Sequence, residues 1–185
     1  MGGSLDEKEL TFLFDNIPEL KQLDIFIECG TYMGVSSRLV SRYFKDVYTF
    51  EINNKLFIDS IIKSLEEKLL NVHHYLGNSY DLIKLVILSD NRNSVFFLDA
   101  HQSGADSSNN GKELVPLLQE LQIINTFYPK NTLGLIIVDD YRLWNTQPIP
   151  HDWAHITNEI ILKSLNNHNI KQVFEMNDRM YIIIN

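Results

Sequence analysis

The chain has 185 residues, 24 acidic against 16 basic side chains and a formal net charge of −8. Hydrophobic residues at 44% and charged residues at 22% exclude wholesale disorder, and a chain of this length buries about 70% of the surface its unfolded form exposes. The single cysteine, Cys29, excludes an internal disulfide and a multi-cysteine zinc site and points to a reducing compartment, the cytoplasm. The acidic balance argues against a chain whose main work is neutralising phosphate backbones, without excluding a local basic pocket, so no nucleic-acid partner is expected, and no apolar run of roughly 18 residues is present to span a membrane.

Residues 1–22 stand apart from a single domain at 23–185. The start, Met1-Gly2-Gly3-Ser4, has no apolar core of a signal peptide; it reads as an expression scar and is set aside. Residues 5–14 predict an opening helix ended near Pro18. Residues 23–28 predict a buried strand, after which Val35, Leu39, Tyr43 and Phe44 recur at helical spacing. A second strand follows at 47–51. Ile58, Ile61, Ile62, Leu65 and Leu69 then form a helical stripe with charges on the other side. Residues 72–76 predict a third strand, 80–88 a helix and 94–98 a fourth strand. Residues 102–111 are polar and glycine-containing, a loop placed as a lid. Leu114 to Ile124 predict a helix with Pro116 in its first turn, 132–138 a fifth strand, 145–153 a loop, and Ile156, Ile160 and Leu165 a last helix. Two apolar runs, 172–176 and 180–184, flank Asn177-Asp178-Arg179 as in a hairpin. Alternating strands and helices imply an α/β fold, a doubly wound seven-stranded sheet, mostly parallel with an antiparallel C-terminal strand.

In such sheets ligands bind at the carboxyl ends of the strands. After the first strand stands Glu28-Cys29-Gly30-Thr31-Tyr32-Met33-Gly34. This is not the Gly-x-Gly-x-x-Gly diphosphate turn: Glu28 occupies the first glycine position and the last glycine comes one place late. An acid here suits a ligand carrying an ammonium or sulfonium; an ordinary strand–helix turn is the plainer alternative. Glu51, ending the second strand, can accept two ribose hydroxyls or be a solvated charge. Asn78 and Ser79 after the third strand can meet an adenine edge or cap a helix. Cys29 reads as a buried structural thiol.

The Glu28-x-Gly30-x-x-x-Gly34 turn, Glu51 and Asp99 resemble the first motif, the ribose-binding acid and the fourth-motif acid of class I S-adenosylmethionine-dependent methyltransferases. The likeness runs from about Leu23 to the C-terminus, terminal hairpin included. The Asp99-Ala100-His101 and Asp139-Asp140-Tyr141-Arg142 segments resemble more particularly sugar O-methyltransferases of glycan and antibiotic biosynthesis, of the macrocin O-methyltransferase type. The resemblance implies a Rossmann-like fold, with S-adenosylmethionine held by Glu28, Gly30, Thr31, Gly34, Glu51, Asn78, Ser79 and Asp99. The implied acceptor is a hydroxyl of a sugar, nucleotide sugar or glycan, and the chain could be one module of a larger glycan-building protein.

The rim chemistry also follows from the residues. Adjacent fourth and fifth strands would bring Asp99, His101, Asp139 and Asp140 together, with no lysine or arginine between the acids. Three such carboxylates repel, and a hard divalent cation, Mg²⁺, resolves the repulsion through Asp99, Asp139 and Asp140. A turn cap, or a pair with Arg142, is the alternative for Asp139 and Asp140. With Asp99 beside it, His101 is the candidate general base; a metal ligand or a residue orienting Asp99 are its other readings. Tyr141, Arg142 and Trp144 fall on the acceptor side, Arg142 for a diphosphate if the acceptor is a nucleotide sugar and the aromatic faces for sugar C–H surfaces; covering a core edge or a subunit contact is the alternative for Trp144. His73 and His74 sit near a sheet edge, and His151, His155 and His168 on loops and helix surfaces. Two rival functions stay open: an O-methyltransferase for catechol-like diols, and a non-catalytic nucleoside-binding subunit. A nicotinamide dehydrogenase is disfavoured by the turn.

Overall fold

The computed structural model describes residues 3–101, 114–147 and 153–185. The polar loop at 102–111, Pro148, Pro150 and His151 lie outside the described residues. Helix α1 (Glu7–Asn16) is capped by Asp6, whose side chain accepts from the Glu9 amide, and a 3₁₀ turn (Pro18–Gln22) follows. Then come β1 (Ile25–Cys29), α2 (Val35–Val40), β2 (Asp46–Glu51), α3 (Asn54–Glu66), β3 (Val72–Leu76), α4 (Ser79–Ser89) and β4 (Ser94–Leu98). The chain closes with α5 (Leu117–Phe127), β5 (Gly134–Val138), α6 (Asn158–Ser164), β6 (Ile170–Met176) and β7 (Arg179–Ile184). Pro116 is the residue before α5, which therefore starts after Leu114 rather than at it.

One seven-stranded sheet runs in the order β3-β2-β1-β4-β5-β7-β6. Strands β1 to β5 are parallel, and β7 enters antiparallel between β5 and β6. This is the expected doubly wound, mostly parallel α/β sheet with antiparallel C-terminal pairing. Strands β1, β4, β5 and β7 are buried along their whole length, because both faces are covered. Alternation divides the core. Ile25, Ile27, Phe96, Ile136 and Ile182 face α4, α5 and α6; Phe26, Val47, Phe97, Ile137 and Tyr181 face α1 and α2. Cys29 is buried as expected.

Four expectations are corrected. The α3 stripe does not face the sheet: Leu56, Ser60 and Ser64 are buried, whereas Ile58, Ile62 and Leu65 are exposed. Small side chains let this helix lie close to β2 and β3, and His74 of β3 bonds Ser60 and Ser64. Trp144 is in the core, 8% exposed, and Trp153 joins it there. His168 is buried, its Nε2 directed at the Ile124 carbonyl. The hairpin also starts earlier than the apolar run suggests. Asn177 and Asp178 both have positive φ, as a two-residue turn matched to strand twist requires, so Arg179 is the first residue of β7, not a turn residue.

Candidate active site

The tips of β1, β2, β4 and β5 open into a cavity of about 350 Å³. Its lining includes Glu28, Gly30, Thr31, Glu51, Asn78 and Ser79, with Asp99, His101, Asp139, Asp140 and Arg142 on the other side. Gly34, Tyr141 and Trp144 are not part of the lining.

On the β1 side, Glu28 is 1% exposed. Its Oε2 accepts from Thr49 Oγ1 at 2.6 Å, and Thr31 Oγ1 in turn contacts Thr49 Oγ1. Burial, against hydrogen bonds from Thr49, Ser37 and Ser36, pushes the Glu28 carboxyl up to about 8. The turn that follows is tight. Gly30 has φ +93, and a Cβ there would stand 2.6 Å from the Asp99 carbonyl oxygen, so the glycine is required by the backbone of β4. Gly34 has φ +65 and precedes α2. Glu51 is 7% exposed and accepts from the backbone N–H of Tyr32 and of Asn53, each at 2.8 Å; burial raises its pKa while those amides oppose the rise. Its two oxygens thus tie the β1 turn to the start of α3 and retain lone pairs toward the cavity. Asn78 precedes α4 without capping it by its side chain, which leaves its amide among the cavity groups. Ser79 instead donates inward to Glu120, a fully buried acid whose pKa burial lifts to about 7.

On the opposite side, parallel pairing of β4 with β5 brings Asp99, His101 and Asp140 together. One ligand-type atom from each lies within 4.8 Å of the others, the group among the described residues able to hold a cation. His101 Nε2 is 2.9 Å from Asp140 Oδ2, and Nδ1 is 3.6 Å from Asp99 Oδ1. Burial, then the charges of Asp139, Asp140 and Glu28, push Asp99 well above the usual carboxylate range. For Asp140 burial acts upward, but the hydrogen bond and charge of His101 and the charge of Arg142 hold its carboxyl below that range. Asp140 is in the left-handed region at φ 56, a conformation that aspartate tolerates and that collects at functional sites.

Asp139 is the divergent member. It is 3% exposed and pairs with Arg179 Nε at 2.9 Å, so the acids are not free of arginine. Arg142 likewise reaches Asp140 Oδ1 at 2.7 Å and also pairs with Asp178. Two carboxylates and one imidazole therefore form the cation-capable group, and Asp139 belongs to an ion pair behind it. The Tyr141 ring lies tilted at 57° against Trp144 with centroids 4.7 Å apart, and its hydroxyl accepts from Asn158. His101 lies edge-on to Trp153 at 5.5 Å. The residues missed by sequence reasoning are Arg179, taken for a turn residue; Glu120, hidden on a helical face; and Ser4, set aside with the N-terminus but part of the cavity lining.

No family model matches the chain, and no curated protein matches it. Solved structures do. A Staphylococcus aureus protein assigned as a caffeoyl-CoA O-methyltransferase superposes with a TM-score of 0.61 at 16% identity, over 99% of this chain and 85% of that one. A Streptococcus mutans protein assigned as a methyltransferase, in complex with S-adenosylhomocysteine, gives 0.56 at 17% identity over 98% of both chains. A geranyl diphosphate methyltransferase in complex with S-adenosylmethionine gives 0.57 at 10% identity, over 96% of this chain and 83% of that one. These structural neighbours are methyltransferases of the class I fold, and at such identities the likeness is one of fold.

Proposed function

We propose that the chain is an S-adenosylmethionine-dependent O-methyltransferase acting on a sugar or glycan hydroxyl, with Mg²⁺ assisting. One observation carries the reading: the buried acids Glu28 and Glu51 line the same cavity as the Asp99–His101–Asp140 group. The neighbours bound to S-adenosylhomocysteine and S-adenosylmethionine support the choice of donor; the acceptor rests on the Asp99-Ala100-His101 and Asp139-Asp140-Tyr141-Arg142 segments.

Glu28 would face the cationic methionine end of the donor, Glu51 its ribose and Asn78 its adenine. The turn from Gly30 to Met33 would shape the wall between them, while Ser79, held by Glu120, fixes the start of α4. S-adenosylmethionine supplies the methyl for an in-line displacement by an acceptor oxygen. The carboxylates of Asp99 and Asp140 would hold a hard cation, and a bound Mg²⁺ would acidify and orient an acceptor hydroxyl. His101, its Nε2 2.9 Å from Asp140 Oδ2, would then take the hydroxyl proton as general base rather than ligate the metal. Arg142, half exposed and lining the cavity, would meet an anionic group of the acceptor in exchange for its contacts with Asp140 and Asp178. Trp144 has no direct part, since its ring lies in the core.

A second reading, methylation of a catechol-like diol, is favoured by the likeness to the protein assigned as a caffeoyl-CoA O-methyltransferase. A labelled-methyl screen over free sugars, nucleotide sugars, glycan fragments and catechols, with Mg²⁺ or EDTA, separates the two. Transfer to a saccharide that EDTA suppresses and Mg²⁺ restores is the expected result. Transfer to catechols alone supports the second reading, and transfer undiminished in EDTA removes the metal from the mechanism. Donor binding without transfer to any class identifies a non-catalytic nucleoside-binding subunit.

A further inference from the structure

Two residues that precede every strand belong to the site. Gly3 and Ser4 line the cavity together with Glu28, Gly30 and Asp99. The segment is held at both ends. Toward the β1 turn, the Leu5 backbone N–H donates to Ser36 Oγ at 3.1 Å, and Ser36 lines the cavity too. Toward the acidic rim the fastening is Arg179. Its Nη1 donates to Glu9 Oε2 at 2.6 Å, its Nη2 donates to the Gly3 carbonyl, and its Nε is 2.9 Å from Asp139 Oδ1. Glu9, Arg179 and Asp139 are each 3% exposed. Glu9 also accepts from the Tyr181 hydroxyl and the Asn177 amide.

This arrangement exceeds what anchoring α1 requires. Leu10 and Leu13 already bury the helix in the core, and apolar residues stabilise such a contact as well as a buried ion pair does. What a planar guanidinium adds is fixed geometry between separate partners, here the N-terminal backbone, α1 and the tip of β5. It can do so because Arg179 opens β7 on the face shared by Tyr181 and Ile183, the face covered by α1.

We propose that Arg179 is a positioning residue that seats Gly3 and Ser4 as a wall of the donor cavity, coupling donor binding to the seating of the N-terminal segment. The coupling rests on the donor reading above. A ligand touching this wall binds more tightly when the wall is in place, so releasing the segment lowers affinity and binding the ligand holds the segment down.

Calorimetric titration with S-adenosylhomocysteine, paired with amide hydrogen exchange on the same full-length samples, tests this in the parent chain, Glu9→Gln, Arg179→Met and Arg179→Lys. Exchange across residues 5–13 is expected to rise by about tenfold or more in Glu9→Gln and Arg179→Met while β1 and β4 keep their protection. Affinity falls by about fivefold or more in the same variants. Arg179→Lys, which keeps the charge but not the fork, falls between them and the parent, a graded rescue that loss of packing alone does not give. In the parent, S-adenosylhomocysteine slows exchange across residues 5–13. Glu9→Gln leaves Arg179 paired with Asp139 and carries the test if Arg179→Met does not fold. Unchanged exchange across 5–13 in the variants, or faster exchange with parental affinity, overturns the coupling alone. Failure of the parent to bind S-adenosylhomocysteine overturns the donor reading and the coupling with it.

Discussion

Gly30 shows how a residue can be required for a reason other than ligand contact. Its φ of +93 and the Asp99 carbonyl 2.6 Å from a would-be Cβ mean that any side chain drives β1 and β4 apart at the site. Gly30→Ala should destabilise the fold by about 2 kcal/mol or more, read by denaturant unfolding, and weaken S-adenosylhomocysteine binding through the displaced β4 tip; parental stability would contradict the assigned contact. Glu28 makes a pH prediction. With its pKa near 8 in the free chain, a sulfonium beside it favours the ionised form, so binding the cation releases a proton. The affinity for S-adenosylmethionine relative to S-adenosylhomocysteine, whose sulfur is uncharged, should rise from pH 6 to 8, by at most about tenfold per pH unit, and level off above. In Glu28→Gln the ratio should be flat with pH. A flat ratio in the parent would place the sulfur away from Glu28.

At the scale of elements, the strand tips bring together acids that are distant in sequence, and α5 supplies Glu120 behind them. Glu120 is fully buried, and its pKa moves from 4.5 to about 7. A raised carboxyl pKa favours the protonated folded state, so stability is greatest below about pH 4.5 and is lost as pH rises to about 7. The loss is about 3 kcal/mol. Glu120→Gln removes that loss: its thermal midpoint should gain on the parent's as pH rises from 5 to 8, and a constant difference would show Glu120 ionised throughout. Much of this level was legible in the sequence. The alternation of β1 through β5 with helices is written in apolar runs bounded by Gly, Asn and Asp, and the acids ending β1, β2, β4 and β5 stand where strand-end chemistry is sought. Contacts made only in three dimensions were not legible. Nothing local marks Arg179 as facing Glu9, 170 positions away, and its neighbours Asn177 and Asp178 disguised it as a turn residue. The α3 stripe misled because periodicity reports an apolar face without saying where it points; Ser60 and Ser64 face the sheet instead. Trp144 was placed at the rim by its position after β5, yet a large aromatic near a strand end is as readily drawn into the core.

For the molecule as a whole, the fold sets one half of the cavity opposite the other. The β1 and β2 tips carry Glu28 and Glu51; the β4 and β5 tips carry Asp99, His101 and Asp140. Asp139 was expected to ligate a metal and is instead paired with Arg179, so Asp139→Asn should leave Mg²⁺ affinity within about threefold of the parent's while Asp140→Asn lowers it by about tenfold or more, measured by calorimetry. Equal losses in the two variants would return Asp139 to the metal group. The most direct test of the account is a crystal structure of the chain soaked with S-adenosylmethionine. We expect the ribose on Glu51, the sulfonium beside Glu28 and the methyl directed at the space between His101 and Asp140. A nucleoside bound elsewhere, or a methyl directed away from those acids, would contradict it.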